Sequence, residues 1–119
     1  MIRGLHHVQL AMPQGREDEA ERFYAGLLGL DRIPKPAELE ARGGAWFRSS
    51  GVEVHLGVED DFRPAGKVHP AFLVDGLVEL RDRLLASGVE TVEDTQLEGH
   101  RRFYAADPFG NRLEFLERD

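Results

Sequence analysis

The sequence predicts an α+β fold made of two βαβββ modules, and three observations carry that prediction. Stretches with apolar residues at alternate positions are interleaved with two stretches of helical spacing. Each helical stretch runs into a glycine. The order of elements in the first half returns in the second: 62 positions separate His7 from His69, 59 separate Gly29 from Gly88, and 59 separate His55 from Glu114.

Element by element, residues 5–12 form the first predicted strand, with Val8, Leu10 and Met12 on one face and His7, Gln9 and Ala11 on the other. The turn "PQG" ends it. Ala20, Phe23, Tyr24, Leu27 and Leu28 then fall at helical spacing over residues 17–28, with acidic residues at the start and Gly29 at the stop. "DRIPKPAELEARGG" reads as a short strand at 31–33 followed by a loop or one helical turn, and strands at 45–48 and 52–58 complete the first module. In the second, "VHPAFLV" reads as a strand in which Pro70 needs a position without an N–H bond. A helix over 77–86 uses Leu77, Leu80, Leu84 and Leu85 and stops at Gly88. Strands at 90–92, 102–106 and 112–116 follow, the last two joined by the turn "DPFGN". The expectation is a single domain spanning 1–119, with module 1 at about 4–58 and module 2 at about 68–118.

Composition narrows the function classes. Twenty-two acidic residues against 15 basic ones give a formal charge of -7 and a pI near 5.2, which disfavours nucleic-acid binding. There are no cysteines, so disulfides, thiolate metal sites and cysteine nucleophiles are excluded. The apolar run near the N-terminus is too short for a signal peptide or a membrane span, and a cytoplasmic location with no membrane partner is expected.

The repeat also selects the chemistry. His7 and His69 stand on the first strand of each module, His55 and Glu114 on the last. In "VEVHLGV" the residues Val52, Val54, Leu56 and Val58 share one face, leaving His55 on the other with Glu53 and Gly57. Glu114 takes the same part on its strand, with Arg112 and Leu116 beside it and Leu113 and Phe115 behind. Each residue alone is read more simply, as a strand histidine or a surface carboxylate in an ion pair; their joint placement favours a divalent metal. Imidazole and carboxylate donors suit Zn, Ni, Co, Mn or Fe(II), and four in an octahedral shell leave two positions for a substrate. Gln9, Trp46, Phe72, Arg102 and Tyr104 are the candidate substrate-binding residues, although each aromatic taken alone reads as core, and Arg101 or Arg102 is able to pair a carboxylate or phosphate. His6 and His100 have no equivalent in the repeat.

"LHHVQLAM", "FYAGLLGL", "HPAFLV" and "RFYAADPFGNRLEFLE", in this order, resemble the vicinal oxygen chelate superfamily, which includes glyoxalase I and the fosfomycin-resistance, bleomycin-resistance and extradiol dioxygenase proteins. The resemblance implies that the βαβββ modules curl into a half-barrel cleft. It also implies a homodimer in which modules of different chains complete each site, so that His7 and His55 of one chain meet His69 and Glu114 of the other. His7, His69 and Glu114 match the family's metal positions, while histidine at 55 departs from the glutamate of glyoxalase I. Gln9 and Arg102 depart from the Thr and Ser of fosfomycin-resistance enzymes.

The leading expectation is a metal-dependent isomerase or lyase that binds vicinal oxygens of a small substrate, with Glu114 as the proton carrier. An Fe(II) dioxygenase is an alternative, because His7, His69 and Glu114 make a two-histidine, one-carboxylate set. The alternative from another class is a metal-free module that sequesters a cationic ligand, which the acidic charge would suit.

Overall fold

Eight strands form two four-stranded sheets in the computed structural model, which describes residues 1–119. The chain divides into two units, Met1–Arg63 and Pro64–Asp119. The first holds β1 (Val8–Met12), α1 (Glu17–Glu21) continued by a π-helical segment (Arg22–Leu27), β2 (Asp31–Ile33), α2 (Ala37–Glu40), β3 (Ala45–Ser49) and β4 (Val52–Val58). The second holds β5 (Ala71–Leu73), α3 (Leu77–Ala86), β6 (Thr91–Val92), β7 (His100–Ala106) and β8 (Arg112–Arg118). Sheet orders are β1-β4-β3-β2 and β5-β8-β7-β6, so the first strand of each unit lies parallel to its last. No helix is long and apolar enough to cross a membrane.

Register supports the sequence repeat residue by residue. Gln9 pairs with His55 and Trp46 pairs with His55 from the other side; Ala71 and Tyr104 flank Glu114 in the same way. Gln9 and Ala71 are 62 apart, matching His7 and His69. One face of each sheet is the core. In the first unit Met12, Ala45, Phe47, Val54 and Leu56 are buried with Ala20, Phe23 and Tyr24 of the helical segment, and Tyr24 stacks on Phe47. In the second unit Phe103, Ala105, Leu113 and Phe115 are buried with Leu77 and Leu84 of α3. Burying Tyr24, Phe47, Phe103 or Phe115 contributes about 2 to 3 kcal/mol each.

Several boundaries move for identifiable reasons. The expected helix over 17–28 loosens from α to π geometry, Leu28 N–H donating to the Phe23 carbonyl, before Leu30 N–H closes the end on Tyr24 across Gly29. The strand expected at 68–74 begins only at Ala71. Pro70 has no N–H to donate, and its carbonyl instead accepts from Glu114 N–H. Leu85 is half exposed rather than part of the α3 core. The "DPFGN" turn is a buried knot: Asp107 Oδ1 accepts from the backbone N–H of Phe109 and Asn111, and Oδ2 accepts from Asn111 Nδ2.

Candidate functional site

In the first unit the face opposite the core carries a ring stack. The Trp46 and His55 rings lie 3.9 Å apart and 4° from parallel, and His7 covers His55 at 4.0 Å and 16°. Cross-strand neighbours at the centre of a sheet stand side by side, which puts the indole against the imidazole. His55 is therefore 4% exposed although it faces away from the core. Its Nε2 lies 2.7 Å from Glu53 Oε2. A carboxylate only accepts, so Nε2 carries the proton and the Nδ1 lone pair stays open. Burial pushes the His55 imidazole down, and the hydrogen bond with Glu53 opposes that shift without overcoming it. Glu53 is in turn held below the ordinary carboxylate range by His55. The pair is thus a neutral imidazole donating to an ionised carboxylate. Arg48, 3.7 Å from Glu53, adds a weak exposed contact. His6 reaches His7 through their Nδ1 atoms at 3.0 Å.

In the second unit the corresponding face carries charge. Glu114 is 5% exposed at the centre of β8. His69 Nε2 sits 2.8 Å from its Oε1, and Arg102 Nη1 donates to its Oε2 at 3.2 Å. Burial acts to raise the Glu114 carboxyl, but hydrogen bonds from His69 and Arg102 outweigh it and hold the group ionised below the usual range. Arg102 is fixed by two further acceptors, the Thr95 carbonyl and the Tyr104 hydroxyl, both at 2.8 Å. Arg112 lies over the Tyr104 ring at 4.1 Å.

The residues singled out in the sequence are thus gathered as two sets: His7, Gln9, Trp46 and His55 on one face of the first sheet, His69, Arg102, Tyr104 and Glu114 on one face of the second. Phe72 is the exception. It pairs with Phe115 and stacks on it at 5.8 Å, on the core side of the sheet, so the expectation of a substrate-binding residue at this position is corrected. Alternation from His69 already puts Ala71, not Phe72, on the Glu114 face. No group of three or more His, Asp or Glu side chains that could hold a metal ion occurs in the chain, so each unit offers a pair of donors. Two residues gain importance from the structure. Glu53 and Arg112 each stand two positions before the central residue of their strand, and the same 59-residue spacing relates them.

The family model of the glyoxalase/bleomycin resistance protein/dioxygenase superfamily matches residues 4–115. A glyoxalase family protein from Bacillus anthracis superimposes with a TM-score of 0.94 at 46% identity, over 100% of this chain and 98% of that one. A glyoxalase/dioxygenase from Nostoc punctiforme has a TM-score of 0.79 at 24% identity, covering 98% and 92%. A mutant of the fosfomycin resistance protein FosX from Listeria monocytogenes, complexed with Mn(II) and 1S,2S-dihydroxypropylphosphonic acid, has a TM-score of 0.81 at 22% identity, covering 100% and 95%. The last two likenesses show the fold. No curated protein matches the chain. With the family model spanning nearly all of its length, the chain belongs to the glyoxalase/bleomycin resistance protein/dioxygenase superfamily.

Proposed function

We propose that this chain is a metal-dependent enzyme of the superfamily, binding two vicinal oxygens of a small substrate and carrying out isomerase or lyase type chemistry. The observation that supports it is the equivalent placement of two donor pairs, His7 with His55 and His69 with Glu114, each joining the segment just before a unit's first strand to the middle of its last. The second pair has the spacing of adjacent ligands. His69 Nε2 and Glu114 Oε1 are 2.8 Å apart. Adjacent ligands on an ion with bonds of about 2.1 Å stand about 3.0 Å apart. Nitrogen and carboxylate donors without thiolate suit Zn, Ni, Co, Mn or Fe(II).

His7, His69 and Glu114 would hold the ion, with the open Nδ1 of His55 as the fourth donor. A bound divalent ion supplies Lewis-acid stabilisation of negative charge on the substrate oxygens. Since each unit contributes one pair, we assign the four donors to two copies of the chain in a homodimer. Glu114 moves the proton. Its ionised carboxylate is the acceptor, and Arg102 holds Oε2 in place. Gln9, Trp46, Arg102 and Tyr104 line the two donor faces and would orient the substrate.

The test is metal content. Untagged protein dialysed and reconstituted with Mn, Ni, Co, Zn or Fe(II) is expected to bind close to one ion per donor set, and to lose it in His7→Ala and Glu114→Ala. No tight binding of any of the five would end the metalloenzyme reading. Glu114→Gln with full occupancy and full turnover would end the proton assignment alone.

A further inference from the structure

The face around Glu114 holds more positive charge than its one carboxylate balances, in a chain whose formal charge is -7. Arg102, its side chain 12% exposed, is matched by Glu114, while Asp94 reaches it only at 3.9 Å from a half-exposed position. His69 uses the other oxygen of Glu114. Arg112 remains. Its guanidinium carbon lies 4.1 Å over the Tyr104 ring, it is half-buried, and no carboxylate comes within 4.0 Å of it. Two other arginines of this unit are paired, Arg81 with Glu93 and Arg101 with Glu117 and Asp119, and Arg118 is exposed at the end of β8. Stacking on a tyrosine fixes the plane of a guanidinium while leaving its outer N–H groups free to take an oxyanion.

Two further observations place the ligand. Arg112 and Glu114 project from the same face of β8, two residues and about 7 Å apart along the strand. That is the span of a small molecule with reacting oxygens near Glu114 and an acidic group one or two bonds beyond. In the first unit the equivalent position is Glu53, whose charge is already spent on His55; in the second it is Arg112, which has no such partner. We infer that Arg112, stacked on Tyr104 beside Glu114, anchors an oxyanion of the substrate, a carboxylate or a phosphate. The inference rests on the metalloenzyme reading for the role of Glu114, but not for the binding of the anion itself. It also opposes the metal-free alternative, whose cationic ligand this face would repel.

The experiment titrates inorganic phosphate, and separately malonate, into the metal-free protein by calorimetry, with the Nε–H resonance of Arg112 followed by NMR. Saturable binding of either is expected, weakened about tenfold in Arg112→Gln and partly rescued in Arg112→Lys, which keeps the charge and loses the fork. Preference for one anion names the acidic group. Mn(II) stoichiometry, measured on the same samples, is expected to be unchanged by Arg112→Gln. Equal affinity in wild type and Arg112→Gln, or no binding of either anion at millimolar concentration, would overturn the inference. If Mn(II) fails to bind while the anion still depends on Arg112, the metal reading falls and the oxyanion site stands. If Mn(II) binds and the anion ignores Arg112, the reverse holds.

Discussion

The two units share strand order, register and the positions of their donors, yet they hold those donors by different forces. In the first, His55 is gripped by aromatic stacking between Trp46 and His7, with one carboxylate at its tip. In the second, Glu114 is gripped by polar contacts, a hydrogen bond with His69 on one oxygen and an ion pair with Arg102 on the other. The difference has a backbone cause. Arg102 pairs with Leu116, and its counterpart in the first unit is Gly44, one step beyond the Ala45–Leu56 pair. A Cβ at Gly44 would lie 2.1 Å from the Leu56 carbonyl oxygen, so no side chain fits there, let alone an arginine. One scaffold therefore admits an arginine beside the carboxylate of the second unit and none beside the imidazole of the first, because a single register position is open in one copy and closed in the other.

That comparison is easiest to break at Gly44. Gly44→Ala combines the backbone clash with a φ of +89° and is expected to cost about 4 kcal/mol, measured by urea unfolding. Gly51→Ala, with a similar φ of +84° but open space around it, should cost about 1 kcal/mol. Equal costs would mean that the close approach to β4 is not what closes the position.

Next in size, Glu114→Ala leaves Arg102 and His69 facing each other across an empty carboxylate site and should cost about 3 kcal/mol. His55→Ala removes a stack and one hydrogen bond and should cost about 1.5 kcal/mol. Trp46 is the only tryptophan, so its emission reports the loss of the stacked imidazole directly. Costs in the opposite order would show that the ring-packed donor, not the ion-paired one, is the more tightly held.

The smallest effect concerns how each helix starts. No side chain caps α1, whereas Glu117 of β8 accepts from Gly76 and Leu77 N–H at the start of α3, at 2.7 and 3.2 Å. Those bonds hold the Glu117 carboxyl below its ordinary value of 4.5, so its contribution is complete at pH 7 and lost as acid titrates it below that value. Glu117→Gln should lower Tm slightly at pH 7, and the gap should narrow as the pH falls below that ordinary value. A gap that persists in acid would mean that charge is not what Glu117 supplies.

Much of this was legible in the sequence where a pattern is local. Val52–Val58 and Leu77–Ala86 have their observed bounds because strict alternation, in one case, and leucine spacing with a glycine stop, in the other, mark both ends. The donor positions follow from the repeat, since strands of like modules keep parity. The π geometry of Arg22–Leu27 leaves no such trace, as one residue of slack barely alters apolar spacing. Nor could parity show which neighbours would clasp each donor. Alternation puts Glu53 beside His55, but the Trp46 stack on His55 depends on β3, and the Glu114–Arg102 pair on a register set by the whole β7–β8 hairpin.

The parallel pairing of first and last strands carries a kinetic consequence. Val8 meets Val54 and Ala71 meets Glu114, partners more than forty positions apart, whereas β3–β4 and β7–β8 are nearly local hairpins. Loop-closure entropy makes the hairpins the early structures and the docking of β1 and β5 the late ones. Both donor pairs straddle that late seam: His7 leads into β1 while His55 is on β4, and His69 leads into β5 while Glu114 is on β8. The contacts of His7 with His55 and of His69 with Glu114 therefore form only as the first strand of each unit docks against its last, and they are among the latest to appear in folding.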